Sequence, residues 1–173
     1  MNRPLRFFTD VVMSGEILGL DASCTPERVT SVLGAYAENR QRNIMWRDYG
    51  AIEFSWERTS ATESWRGTHV SLQVHRLSRD PTQMNEAVRG TYGDFDRTLP
   101  FDDLSLAVQM GSHLTEVPRR LSDEVREYIN PLNAVTVMVA KTTGWWDMTE
   151  GAVWQITCGN PGRATGFAGR SAK

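Results

Sequence analysis

The sequence predicts an α+β protein, an antiparallel sheet with helices packed on one face, built from two tandem helix–strand–strand units. Three observations predict it. Ile52, Phe54 and Trp56 alternate with Ala51, Glu53, Ser55 and Glu57, and Val70, Leu72 and Val74 alternate with His69, Ser71, Gln73 and His75. A period of two marks half-buried strands. The two runs are joined by a polar stretch, residues 58–67, and so read as a β-hairpin with one apolar and one polar face. The order helix, strand, strand then recurs, at residues 25–77 and at residues 99–158.

Each element has its local reason. Residues 7–20 form a mixed apolar segment, a strand or short helix that ends at Gly15 or Gly19. Residues 21–34 carry clearer signals. Thr25 is a good N-cap, Pro26 suits the first helical position, Glu27 favours the positive end of the helix dipole, and Gly34 supplies the stop. Val29, Val32 and Leu33 share one face of that helix. Residues 35–43 read as a polar connection into the hairpin, and the Ser- and Thr-rich loop over 58–67 contains Trp65. Asp80-Pro81 and Gly90 mark turns on either side of a short helix over 81–88. A helix follows from Leu99 to Val108 or Met110, stopped by Gly111, and residues 122–128 read as another short helix behind Ser122. Val135, Val137 and Val139 lie on one face of a strand over 133–141, and residues 152–158 form the last strand. These elements make one domain, residues 1–158, with repeats over 15–80 and 95–158. Residues 159–173, rich in Gly and small residues with Arg163 and Arg170, read as a flexible tail.

Composition narrows the function classes. The chain has 173 residues, 40% of them hydrophobic and 23% charged, with a formal net charge of −2, which supplies no electrostatic footprint for nucleic acid. Residues 1–20 carry Arg3 and Arg6, but Thr9, Asp10, Ser14 and Glu16 interrupt the apolar core that a signal peptide needs, and no later run is long enough to span a membrane. A cytoplasmic location is expected. Cys24 and Cys158 lack metal-knuckle spacing and read as two unpaired thiols of a reducing compartment.

The polar face of the hairpin gathers Glu53, Glu57, His69, Gln73 and His75, residue types that serve acid–base chemistry or a metal when they converge. No His-x-His or His-Glu-x-x-His spacing accompanies them, and His113 lies in the other half, so no metal or cofactor is expected. No Gly-x-Ser-x-Gly elbow is present, and Gly90-Thr91-Tyr92-Gly93 and Gly159-Asn160-Pro161-Gly162 lack the ending of a phosphate loop. The polar face therefore reads as a presented surface. Six tryptophans, Trp46, Trp56, Trp65, Trp145, Trp146 and Trp154, lie in or beside strands, where they thicken a thin core or anchor a partner.

The series Leu18-Gly19, Thr25-Pro26-Glu27-Arg28-Val29 with Leu33-Gly34, Trp46-Arg47-Asp48-Tyr49-Gly50-Ala51-Ile52-Glu53-Phe54 and Gln73-Val74-His75-Arg76-Leu77 resembles small actinobacterial immunity-type proteins. At the level of fold, the unit is similar to the module that beta-lactamase inhibitor protein uses twice to present a concave sheet. The resemblance implies a non-enzymatic protein that binds a cognate protein toxin and occludes its active site, with no catalytic residue to transfer. On this reading Asp48, Glu53 and Glu57 offer negative charge to a basic toxin surface, beside His69, Gln73 and His75. Tyr49, Trp65 and Trp145 or Trp146 supply anchors. The partner list is then a toxin, with no nucleic acid and no membrane, and a homodimer as a further expectation. Two other readings stay open: a metal- or ligand-dependent enzyme at His69 and His75, and a structural subunit of a larger assembly.

Overall fold

Capping residues start and stop the helices. Asn2 accepts the Leu5 N–H at 2.8 Å to open α1 (Arg3–Ser14), and Gly15 closes it in the left-handed region at φ 76°. The segment over 7–20 thus opens as a helix. Thr25 accepts the Arg28 N–H to open α2 (Pro26–Leu33), and Gly34 ends it, as the spacing predicts. The remaining helices are α3 (His75–Arg79), α4 (Glu86–Tyr92) and α5 (Phe101–Val108), with a 3-10 turn at Pro81–Gln83. The computed structural model describes residues 1–109, 111, 113–117, 124–144 and 147–159. Among these, no helix is long and apolar enough to cross a membrane.

Eight strands form one antiparallel sheet: β1 (Ala37–Gln41), β2 (Ile44–Asp48), β3 (Ile52–Glu57), β4 (Arg66–Leu72), β5 (Thr115–Val117), β6 (Val125–Ile129), β7 (Thr136–Ala140) and β8 (Val153–Gly159). Their order is β1-β2-β3-β4-β8-β7-β6-β5. Each half of the chain contributes four consecutive strands, and β4 and β8 join the halves through pairs such as Val70↔Cys158 and Leu72↔Ile156.

The register fixes which face is apolar. Opposed residues share a face, and the row Ile52, Leu72, Ile156, Val137 is buried along its length. Phe54 and Val70 stand in the next row. Onto this face pack Phe7, Phe8, Val11 and Val12 of α1, Val29 and Leu33 of α2, and Leu104 and Val108 of α5, in one continuous core. Trp56 is fully buried there, its indole N–H donating to the Cys24 carbonyl at 2.9 Å. Full burial of such a side chain is worth at least about 2 kcal/mol. The halves are also tied end to end. Asn130 and Asn133, in the β6–β7 connection, donate to the Val12 and Met13 carbonyls at the close of α1, at 2.8 to 3.1 Å. Those carbonyls have no partner within their own helix.

The fold departs from the sequence reading in four places. Residues 35–43 are not a simple connection but contain β1, whose five residues are all exposed. A strand bare on both faces has no hydrophobic period to read. The second hairpin strand stops at Leu72, so Gln73 and His75 leave the sheet and His75 opens α3. Residues 125–128, read as helix, are strand: Val125, Arg126, Glu127 and Tyr128 pair with Ala140, Val139, Met138 and Val137, and tertiary pairing overrides local preference. Among the described residues each half of the chain therefore holds four strands rather than two. The short helix after Asp80 is displaced to α4. The tail from residue 160 lies outside the described residues, as do Trp145 and Trp146.

Candidate functional site

The helix-free side of the first four strands carries the polar residues that the alternation singles out. Glu53, Ser55 and Glu57 of β3 face this side, with Trp46 and Asp48 of β2 and His69 and Ser71 of β4 beside them. Most are half-buried by their neighbours. At one end of the face the chain doubles back through α3, and Arg76 reaches over the end of β3.

Arg76 organises this corner. Its Nη1 donates to Asp48 Oδ2 at 2.6 Å and to the Gly50 carbonyl at 2.6 Å, and its Nη2 bonds to Glu53 Oε1. Glu53 Oε2 in turn accepts from Gln73 Nε2 at 2.9 Å. Asp48 Oδ1 accepts the Gly50 N–H at 2.8 Å. Two carboxylates face one guanidinium, which leaves one negative charge spread over the trio. All three side chains are a quarter to a third exposed.

The turn beneath the trio requires glycine. Gly50 has φ 90°, and a Cβ there would sit 2.1 Å from the Gln83 carbonyl oxygen, which also accepts the Ala51 N–H at 2.7 Å. The turn and the Pro81–Gln83 segment are thereby locked together.

Beside the trio is an open cleft of about 560 Å³ lined by Glu53, Gln73, His75, Arg76, Arg79, Gln83 and Trp154. His75 stacks on Trp154 with ring centroids 5.3 Å apart, and its Nδ1 lies 3.4 Å from the Trp154 carbonyl. Desolvation pushes the His75 pKa down, and the charges of Arg76 and Arg79 push the same way against the Trp154 carbonyl and Glu53. Trp154 stands at a β-bulge, where Met138 pairs with Gln155 and Val139 with Val153. Bulges re-aim a side chain. Arg79 pairs with Asp147 at 2.9 Å on the rim. Trp154 is the one large apolar wall, whereas small-molecule pockets are lined mainly by apolar side chains.

Asp48, Glu53, Gln73 and His75 thus come together at this end. His69 and Glu57 lie further along the same face, and desolvation holds His69 below its usual pKa while Glu53 opposes the shift. Two expected anchors stand elsewhere. Tyr49 is 3% exposed, on the core side, with its hydroxyl 2.9 Å from Thr30 Oγ1, so it cannot serve as a surface anchor. Its place follows from the turn: Tyr49 pairs with Ile52 across Gly50 and packs edge-on to Phe54. Trp65 lies between the guanidinium groups of Arg40 and Arg58, 5.3 and 4.4 Å from its centre. Trp145 and Trp146 lie outside the described residues. Among the described residues, no three His, Cys, Asp or Glu side chains come together as a metal site.

Sequence reasoning gave Arg76 and Arg79 no role at the site, and named Trp46 and Trp154 only among the six tryptophans that thicken the core or anchor a partner. Trp46 was within reach, because it alternates with the buried Met45 and Arg47 just as Ile52 alternates with Glu53. No family model matches this chain, and no curated protein or solved structure matches it either.

Proposed function

We propose that this chain is a non-catalytic binding protein of the immunity type, which neutralises a cognate bacterial toxin by covering its active site with the polar sheet face and its cleft. The observation that carries the reading is the braced trio of Asp48, Glu53 and Arg76, continued by Gln73. Charged side chains held by one another in a half-exposed corner are already fixed before a partner arrives, and pre-ordered groups lose less entropy on binding. The polar cleft fits a protruding polar side chain of a protein better than a drug-like molecule. The bound Arg76 also alters the electrostatics expected from the sequence. Asp48 and Glu53 share one guanidinium, so they contribute directed hydrogen bonds and a single net negative charge.

The test is co-expression with the product of each reading frame that neighbours this chain's gene, followed by growth measurement and purification of any complex. Rescue of growth by the wild-type chain and a stable one-to-one complex are expected. Glu53→Arg should abolish rescue while circular dichroism stays native. Absence of rescue and of any complex with each neighbouring product would overturn the proposal, and so would full rescue by a folded Glu53→Arg chain.

A further inference from the structure

We infer that the sheet edge at β1 pairs with β1 of a second copy of this chain, antiparallel and centred on Asn39. β1 begins the sheet order, has a neighbour on one side only, and is exposed at all five positions. Such an edge is a template for another strand.

The turn determines which main-chain groups face outward. Gln41 and Ile44 pair across the two residues Arg42 and Asn43, which makes them a hydrogen-bonded pair. Such pairs alternate along an antiparallel ladder. Asn39 and Ala37 therefore also bond inward to β2, and the N–H and C=O groups of Glu38 and Arg40 point away from it. Among the described residues, nothing bonds to those outward groups. Two copies related by a two-fold axis at Asn39 place Glu38 opposite Arg40 of the second copy and Arg40 opposite its Glu38. Each opposed pair exchanges two main-chain hydrogen bonds, four in all.

The side chains select the same register. Centring the axis on Glu38 would oppose two carboxylates, and centring it on Arg40 would oppose two guanidinium groups. Centring on Asn39 gives two pairs of opposite charge. Opposite charges facing each other across strands attract and like charges repel. The groups are also held in place. Glu38 accepts from Arg47 at 2.9 Å and lies 3.5 Å from Arg40 of its own strand, while Arg40 is steadied over Trp65. One residue beyond the strand, the half-exposed Tyr36 would meet Arg42 of the second copy. So short a ladder buries little area, and the pairing is reversible and concentration-dependent.

The experiment is sedimentation equilibrium of the full chain over a wide concentration range, with two variants. Wild type should show a monomer–dimer equilibrium. Arg40→Glu sets carboxylate against carboxylate in both pairs and should raise the dissociation constant at least about tenfold. Asn39→Cys brings two thiols together in a non-hydrogen-bonded pair with Cα atoms about 4.5 Å apart, within disulfide reach. It should form a linked dimer under mild oxidation, whereas Gln41→Cys, which faces Ala37, should not. A chain that stays monomeric throughout, a dimer indifferent to Arg40→Glu, or equal cross-linking of the two cysteine variants would each overturn the inference.

Discussion

Arg47 and Arg76 serve the same strands from opposite faces. Arg47, on the helix-covered side of β2, bonds to Glu38, to the Pro26 carbonyl at 3.0 Å and to Thr30 Oγ1 at 3.0 Å, with the rings of Tyr36 and Trp56 near its guanidinium. Its side chain is 11% exposed. Burial works against its charge, but the Glu38 bond and the neighbouring tyrosines outweigh that and hold its pKa above the usual value. Arg76 has a comparable set of acceptors, yet a quarter of it faces water. The same side chain therefore acts as a bolt between α2, β1 and β2 on one face, and as a brace for a presented surface on the other. What separates the roles is whether a helix lies over the guanidinium.

The largest effect that would break this contrast belongs to Arg47. Arg47→Ala removes the bonds to Glu38, the Pro26 carbonyl and Thr30 and opens a cavity under Tyr36 and Trp56, so it should cost about 3 kcal/mol in denaturant unfolding. Arg47→Met, which fills the space without a charge, should cost less than half of that. A loss below about 1 kcal/mol for the alanine variant would put the two arginines on an equal footing.

Arg76→Ala should cost only about 1 kcal/mol, because Asp48 and Glu53 can turn to water. On the proposed function its main consequence is weakened binding of the partner, read by calorimetry against the unaltered chain. A stability loss as large as that of Arg47→Ala would show that the open face is a second structural face.

The smallest effect comes with pH and sharpens the contrast further. Desolvation leads in holding the pKa of the half-buried His75 below its usual value of 6.5. A histidine with a depressed folded pKa binds its proton first in the unfolded chain, so stability is full above about pH 6.5 and declines as pH falls below it. The melting temperature should drop modestly between about pH 7 and 5, and His75→Gln should flatten part of that slope. A melting temperature that rises on acidification would reverse the sign and remove the argument.

Much of the fold was legible because burial wrote it into the residue pattern. Thr25, Pro26 and Gly34 bracket α2, and Ile52, Phe54 and Trp56 mark the core face of β3, since each helix end and half-buried strand constrains residue type. The unreadable parts were unconstrained or overridden. β1 places no apolar side chain in the core, so nothing in Ala37 to Gln41 alternates in hydropathy. The alternation Val70, Leu72, Val74 runs two residues past the real end of β4, because Val74 is buried for a different reason, as the residue that leads into α3. At the site, Asp48 and Glu53 were legible as acids on one face. Their bridging by Arg76 was not, because that contact spans 28 and 23 positions and depends on the turn at α3.

The seam between β4 and β8 has a consequence in time. Among the described residues β8 is the last strand in chain order but lies in the middle of the sheet, and the Ser71 and Thr157 hydroxyls that meet across its seam with β4 at 3.3 Å are 86 positions apart. Until β8 leaves the ribosome, β4 is an open edge that carries Val70 and Leu72 beside unpaired main-chain groups. Contacts so distant along the chain form slowly, and an uncovered strand in a half-made protein is where misassembly begins. The interval between translation of β4 and translation of β8 is therefore this protein's period of greatest vulnerability, and a holdase that shields β4 would matter then more than at any later moment.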